Sequence, residues 1–215
     1  DIITLHVPLT HDGVYPTLHM VDAGFLSQME HNCLLINTSR GEVIDESALK
    51  NLLKKNTDLS VVLDVWDNEP YIDTELLAHS AIATPHIAGY SFDGKICATE
   101  MLYKQVCQFF NRQDEWKPLN VCSGAEFSEL RVADEMDEYD AVQFSVLANY
   151  DVRSDSASLS RMLKINRDQQ CQYFDELRKN YPIRREFPST RIDIHANRSA
   201  LIQKLTQLGF TIKSH

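Results

Sequence analysis

The sequence predicts an α/β protein in which a parallel sheet is followed by a second, smaller α/β unit. Short apolar runs alternate with amphipathic segments over the first 112 residues, and a similar alternation occupies 127–215. Between them lies a polar stretch that contains Pro118 and Gly124. We therefore predict domains at 1–112 and 127–215, joined by a linker at 113–126.

Apolar runs and helix signals alternate through the first domain. Asp45 is placed to cap a helix whose apolar residues share one face. A long amphipathic helix is predicted from Ser91 to about Asn111, with an apolar stripe that favours packing against a core. The other predicted elements of this domain are a strand at Ile2–Leu5, a short helix near Asp22–Met29, and strands at Cys33–Asn37, Val61–Val65 and Ala81–Thr84. This alternation is typical of parallel sheets with crossover helices.

In the second predicted domain, the sequence patterns that indicate helices and strands are weaker. The acidic run Asp134–Asp140 is interpreted as a solvated face. Asn197 is predicted to cap a helix that ends before Gly209. The remaining predicted elements are strands at Val142–Leu147, Arg191–His195 and Phe210–Lys213, and helices at Ala157–Ile165 and Gln169–Asn180.

Composition narrows the possible partners. The 215 residues carry a formal net charge of −10, which disfavours nucleic acid and anionic membranes as partners. No run of about twenty apolar residues is present to predict a membrane span. The five cysteines form no C-x-x-C pair, which favours reduced thiols and a cytoplasmic protein. His6, His11 and His19 lack companions at ligand spacing, so we predict no metal site.

Three residues have side chains suited to hydride transfer from a hydroxy acid. Arg40 can grip a carboxylate with its planar fork and so orient a 2-hydroxy acid. His86 can accept the hydroxyl proton as hydride leaves, because histidine titrates near neutrality. Glu69 beside the imidazole would set its tautomer and favour the imidazolium. Taken singly, each residue is more often structural than catalytic.

Sequence position strengthens the case for these three residues. Arg40, Glu69 and His86 each follow an apolar run that is predicted to be a strand. In open α/β sheets, ligands bind beyond the carboxyl ends of the strands. We therefore predict that the three side chains converge at one edge of the sheet.

The segments around these residues resemble those of the D-2-hydroxyacid dehydrogenase family over roughly residues 1 to 112. The resemblance is carried by Asn37–Gly41, Leu63–Pro70, Thr84–Tyr90 and His6–Thr10. It implies the C-terminal part of a Rossmann-type nucleotide-binding domain, with Arg40, Glu69 and His86 as catalytic residues. It also implies that Thr38, Arg40, Asp64 and Gly89 lie along NAD, and that Arg40 and Tyr90 contact substrate.

The C-terminal part resembles an extension that most members of the family lack. Its resemblance is carried by Tyr150–Arg153 and Phe174–Tyr181. It implies a phosphorylated 2-hydroxy acid as substrate, NAD as cofactor and a homodimer held by the C-terminal domain. Two alternatives stay open: another dehydrogenase of the family, such as one for 3-phosphoglycerate, and a nonenzymatic NAD-sensing corepressor.

The glycine-rich turn of a dinucleotide fold is missing, because the seven glycines nowhere form G-x-G-x-x-G. That turn normally holds the pyrophosphate at a helix N-terminus. We therefore expect a fragment that begins inside the nucleotide-binding domain and carries half of the cofactor site, so that activity belongs to a longer parent enzyme.

Overall fold

The computed structural model describes residues 1–55, 58–117 and 128–215. These residues form two compact units. The first contains Asp1–Ala88 and Val152–Tyr181, and the second contains Gly89–Asp151 and Pro182–His215.

A parallel sheet of four strands lies at the centre of the first unit. The strands are β1 (Ile2–Leu5), β2 (Leu34–Asn37), β3 (Ser60–Leu63) and β4 (Ile82–Ala83), hydrogen-bonded in that order. Leu5 pairs with Asn37, Asn37 with Leu63, and Leu63 with Ala83. All four strands therefore end at the same level, and the predicted parallel sheet is confirmed.

Three helices connect these strands, and an aspartate directly precedes each of them as its N-cap. They are α1 (Ala23–Ser27), α2 (Glu46–Leu53) and α3 (Thr74–His79). The carboxylates of Asp22, Asp45 and Asp73 accept backbone N–H groups from the first turns, which otherwise lack partners. The predicted cap at Asp45 is thus confirmed.

The rest of the described chain contributes five helices and three strands. In chain order they are α4 (Phe92–Phe109), β5 (Ser128–Arg131), α5 (Glu138–Asn149), α6 (Val152–Ser160), α7 (Arg167–Lys179), β6 (Thr190–Ile194), α8 (Ser199–Gln207) and β7 (Thr211–Ser214). Strands β5, β6 and β7 form a second parallel sheet in that order. A hydrophobic core that includes Ile192, Leu201 and Phe210 lies in the second unit.

The strand predicted at Val142–Leu147 is wrong, since these residues lie within helix α5. Val142, Phe144 and Val146 alternate as in a strand, but the fully buried residues are Ala141 and Ser145, one helical turn apart. The acidic run before them is more than a solvated face. The side chain of Asp137 accepts the N–H of Asp140 and caps the helix, and acidic residues in its first turn oppose the positive end of its dipole.

The cap predicted at Asn197 is also wrong, because helix α8 begins one residue later, at Ser199, after Arg198. Its N-cap makes no side-chain hydrogen bond. The strands predicted at Arg191–His195 and Phe210–Lys213 agree with β6 and β7 to within one residue.

The predicted domain limits do not coincide with the compact units. Leu159, Met162 and Phe174 are fully buried in the same core as Leu76 and Leu77. Helices α6 and α7, predicted as part of 127–215, therefore complete the core of the first unit. Most of the predicted linker, from residue 118 onward, lies outside the described residues, and 113–117 have no helix or strand.

Helix α4 differs from the expectation of a core-facing stripe. Val106, Phe109 and Phe110 are 53%, 82% and 65% exposed. The start of this helix is anchored within the second unit, where both oxygens of Asp93 accept from Arg185 Nε at 3.0 Å. In the described ranges, no helix combines the length and apolar character that crossing a bilayer requires.

Candidate active site

Three loops leave the carboxyl ends of β2, β3 and β4 and carry the predicted residues of the first unit. The strands end in register at Asn37, Leu63 and Ala83, so these loops start from one edge of the sheet. The backbone hydrogen bonds continue past the strands: Asp64 N donates to Asn37 O at 3.0 Å, and Thr84 N donates to Leu63 O at 2.9 Å.

His86 and Glu69 form a hydrogen-bonded pair at this edge. His86 Nδ1 lies 2.8 Å from Glu69 Oε2, with side chains 33% and 19% exposed. Glu69 Oε1 accepts the backbone N–H of Trp66 at 2.9 Å. The carboxylate is therefore held at both oxygens, and a neutral His86 would carry its proton on Nδ1. No described residue hydrogen-bonds to His86 Nε2, which leaves that nitrogen available to a substrate.

The backbone at His86 is held in a conformation that non-glycine residues rarely adopt. Its φ of +56° is in the left-handed region, which costs of the order of 1–3 kcal/mol. His86 N donates to Asp64 O at 2.7 Å and so helps to fix this turn. Strain of this kind persists only where surrounding contacts determine the conformation, and it is frequent at active sites.

Asp64 supplies those contacts. Its buried carboxylate accepts from Thr84 Oγ1 at 2.6 Å and from the backbone N–H groups of Ile87 at 2.8 Å and Ala88 at 2.9 Å. These donors lie on both sides of His86, so Asp64 fixes the loop that presents the imidazole. The contact with NAD implied by the family resemblance stays a prediction.

Arg40 lies in a turn shaped by a buried amide. Asn37 Nδ2 donates to Arg40 O at 2.9 Å, and Asn37 Oδ1 accepts from Ser39 N at 3.0 Å. The exposed guanidinium donates from Nη1 to Ser39 O at 2.6 Å. In the described part of the chain, no hydrogen bond or ion pair joins it to Glu69 or His86, so its predicted convergence with them stays a prediction.

Gly41 brings the Arg40 turn against the loop that carries Glu69. A Cβ at Gly41 would lie 2.0 Å from the carbonyl carbon of Trp66 and 2.3 Å from Asp67 N. No side chain can therefore be accommodated, and the two backbones pack directly against each other. The structure thus brings Glu69 and His86 together and places the backbone next to Arg40 beside the same loop.

The other predicted site residues are Thr38, Gly89 and Tyr90, and fewer contacts fix their positions. Thr38 is half-buried directly after β2. Gly89 and Tyr90 belong to the second unit. Apart from Gly89 and its two chain neighbours, no described residue has an atom within 4 Å of a Cβ built at Gly89. Lys95 Nζ lies 4.0 Å from the centroid of the Tyr90 ring.

Sequence reasoning missed the residues that support the pair. Asn37 and Gly41 shape the Arg40 turn, and Glu46 Oε1 accepts the N–H of Asp67 at 2.8 Å. The buried Trp66 donates from Nε1 to Thr84 O at 3.0 Å and so links the loops after β3 and β4. A glycine directly after a candidate arginine was a usable signal of close backbone approach. The described residues contain no cluster of three side chains placed to hold a metal ion.

Comparison with known proteins gives matches over both parts of the chain. Residues 1–88 match the family model of the D-isomer specific 2-hydroxyacid dehydrogenase, NAD binding domain. Residues 121–209 match a domain of unknown function, DUF3410.

Over its whole length the chain is similar to erythronate-4-phosphate dehydrogenases, which confirms the family resemblance. It is 39% identical over 214 residues to the protein of that name from Hahella chejuensis, covering 100% of this chain and 56% of that protein. It is 38% identical over 213 residues to the one from Marinobacter nauticus, covering 99% and 56%. The chain thus spans little more than half the length of these relatives.

Among solved structures, D-lactate dehydrogenase from Aquifex aeolicus is 30% identical. The match covers 52% of this chain and 37% of that chain. The TM-score of this match is 0.43.

Proposed function

We propose that the complete protein that carries this chain oxidises 4-phospho-D-erythronate to 2-oxo-3-hydroxy-4-phosphobutanoate, with NAD as cofactor, in pyridoxal 5′-phosphate biosynthesis. The observation that carries the proposal is the His86–Glu69 pair, with Nδ1 and Oε2 2.8 Å apart at the carboxyl edge of a parallel sheet. The similarity to erythronate-4-phosphate dehydrogenases supports this substrate, since it extends over the C-terminal part.

The residues at this edge fit the cofactor. Nucleotides bind beyond the carboxyl ends of parallel strands, where Thr38 and Asp64 lie in this unit. When bound, NAD would accept the hydride from C2 of the substrate. Gly89, in the second unit, leaves open space where a side chain would otherwise stand.

The chain's own residues would handle the proton and the carboxylate. As the C2–H bond breaks and the C2 oxygen becomes a carbonyl, His86 Nε2 takes the hydroxyl proton. Glu69 stabilises the resulting imidazolium through the hydrogen bond at Nδ1. Arg40 binds the substrate carboxylate and polarises the C2 oxygen, because its fork can donate two parallel hydrogen bonds. Tyr90 contacts the substrate through its hydroxyl group.

A substrate profile of the complete protein tests this proposal. We expect NADH to form with 4-phospho-D-erythronate and to form much more slowly with D-lactate or 3-phosphoglycerate. Preference for 3-phosphoglycerate would assign the protein to another dehydrogenase of the family. Absence of turnover with all three, together with NAD-dependent capture of a protein partner, would favour a corepressor.

We also propose that the protein is a cytoplasmic homodimer that uses its C-terminal part for association. The four cysteines in the described residues are free thiols, as expected in a reducing compartment. Sedimentation of the complete protein should give twice the monomer mass. A monomer at micromolar concentration would contradict the proposal.

A further inference from the structure

Glu46 lies outside the catalytic set, yet it contacts the loop that carries Glu69. It is the first residue of α2, and its Oε1 accepts the N–H of Asp67 at 2.8 Å. The neighbouring N–H, that of Trp66, donates to Glu69 Oε1 at 2.9 Å. Two successive peptide groups are therefore held by two glutamates, one from α2 and one from the loop itself.

Other contacts act on the same loop: Trp66 Nε1 donates to Thr84 O at 3.0 Å, and Tyr71 N donates to Asn68 O at 2.8 Å. Gly41 packs against the backbone of Trp66 and Asp67 from one side. Asn68, the next residue, has a φ of +56°, in the left-handed region that asparagine adopts more readily than most non-glycine residues. Loss of the hydrogen bond from Asp67 would therefore loosen the turn that leads into Glu69.

The surroundings of Glu46 make a carboxylate costly at this position. Asp67 and Asp73 are close enough to oppose its negative charge, and Lys50, whose charge favours the carboxylate, is already bonded to Asp73. Asp45, His19, Glu75 and Arg167 line the same cavity of about 650 Å³. Burial, with a further contribution from the two aspartates, raises the pKa of Glu46 to about 7.

We propose that Glu46 is a positioning residue that holds the Asp67 peptide group and thereby fixes Glu69 against His86. A neutral glutamine of the same shape would avoid the cost of the charge, and costly polar groups of this kind are typical of functional sites. The hydrogen bond is stronger when its acceptor is ionised. We therefore expect Glu69 to be held most firmly against His86 above the pH at which Glu46 loses its proton.

Kinetics of the complete protein test this inference, which rests on the proposed dehydrogenase function. Wild type, Glu46→Gln, Glu46→Ala and the control Glu30→Gln, which removes an exposed carboxylate, are compared from about pH 6 to pH 9. Above pH 7, we expect Glu46→Gln to lower kcat by about five- to tenfold, with the KM for NAD within about twofold.

The pH dependence separates positioning from packing. We expect the kcat ratio of wild type to Glu46→Gln to approach one below pH 7, because wild-type Glu46 is then also neutral. Glu46→Ala removes the acceptor and should lower kcat at every pH, whereas Glu30→Gln should match wild type. A ratio that stays constant over the range, or a Glu46→Gln enzyme equal to wild type above pH 7, would overturn the inference.

A second readout does not depend on turnover. Nitrogen chemical shifts of the His86 ring report its hydrogen bond at Nδ1, and we expect them to change in Glu46→Gln above pH 7 and to stay unchanged in Glu30→Gln. If wild type turns over no 2-hydroxy acid but these shifts respond, the proposed function fails and the positioning role stands. If wild type is active and the shifts do not respond to either Glu46 variant, the positioning role fails alone.

Discussion

At the residue scale, the site is a histidine held by two carboxylates that do different work. Glu69 bonds to the ring, with Nδ1 2.8 Å from Oε2. Asp64 accepts from Thr84, Ile87 and Ala88 and so fixes the backbone around the ring. One carboxylate thus orients the imidazole and the other maintains the strained turn on which it stands.

Replacing the proposed base should remove most of the catalysis. We expect His86→Asn in the complete protein to lower kcat by roughly 10²–10⁴-fold, the usual contribution of a positioned general base. Binding of NAD, measured by calorimetry, should be nearly unchanged. His79→Asn, on the exposed end of α3, is the matched control and should keep wild-type kcat. Normal turnover by His86→Asn would remove His86 from its role.

Arg40 is expected to act through the geometry of its fork. Arg40→Lys keeps the charge but cannot donate two parallel hydrogen bonds to one carboxylate. We expect kcat/KM for 4-phospho-D-erythronate to fall by about tenfold or more. Arg131→Lys, at an exposed position in β5, should leave it unchanged. Equal kcat/KM in the Arg40 variant and wild type would contradict the assignment.

At the scale of the elements, the loops after β2 and β3 depend on their direct contact at Gly41. The four strands end in register, which sets the loops at one edge, and the absence of a side chain at Gly41 lets two of them meet. The arrangement around Glu69 is therefore a property of two loops together.

Two glycine substitutions separate this contact from a general effect of glycine. Gly41→Ala would place Cβ 2.0 Å from the Trp66 carbonyl carbon, and backbone atoms cannot move aside cheaply. We expect it to lower the free energy of unfolding by more than about 2 kcal/mol in urea titration. Gly89→Ala, where no described atom lies within 4 Å, should change it by less than about 0.5 kcal/mol. Similar losses in both variants would argue against the contact.

At the scale of the whole molecule, the first unit combines a hydrophobic core with a buried carboxylate, that of Glu46, whose ionisation lowers the stability of the fold. The first core combines the four-stranded sheet with Leu159, Met162 and Phe174 from distant sequence. Glu46 lies on helix α2, whose Leu49 and Leu53 belong to this core, and burial raises its pKa to about 7. Its ionisation is therefore coupled to the stability of the fold.

Stability should consequently depend on pH through Glu46. Because the pKa is raised from 4.5 in the unfolded chain to about 7 in the folded one, the folded state binds more protons between these values. The contribution of Glu46 to the free energy of unfolding therefore falls as pH rises from 4.5 to 7. We expect Glu46→Gln to be more stable than wild type at about pH 8, by on the order of 1–2 kcal/mol after allowance for solvent screening, and similar at about pH 5. Urea titrations at both pH values measure this. The prediction would be contradicted if the stability difference between Glu46→Gln and wild type were the same at about pH 5 and at about pH 8.

Local patterns predicted much of the fold and the pair at its edge. The apolar runs of the first sheet and the aspartate cap of α2 depend on neighbours in sequence, and the structure confirms both. Glu69 and His86 are hydrogen-bonded, and their catalytic roles stay predictions. The error at Val142–Leu147 has a physical cause: an apolar alternation fits a strand or a helix equally until the packing partners of Ala141 and Ser145 are known.

The sequence by itself determined the parallel sheet, the match of its first 88 residues to a dehydrogenase family model and the chemical types of the site residues. Only the tertiary structure decided that α6 and α7 complete the first core, that Asp64 fixes the His86 loop, and that Glu46 holds the loop of Glu69. Each of these contacts joins residues far apart in the chain or on different elements. Their energy depends on burial and distance in three dimensions, which no local pattern of residues contains.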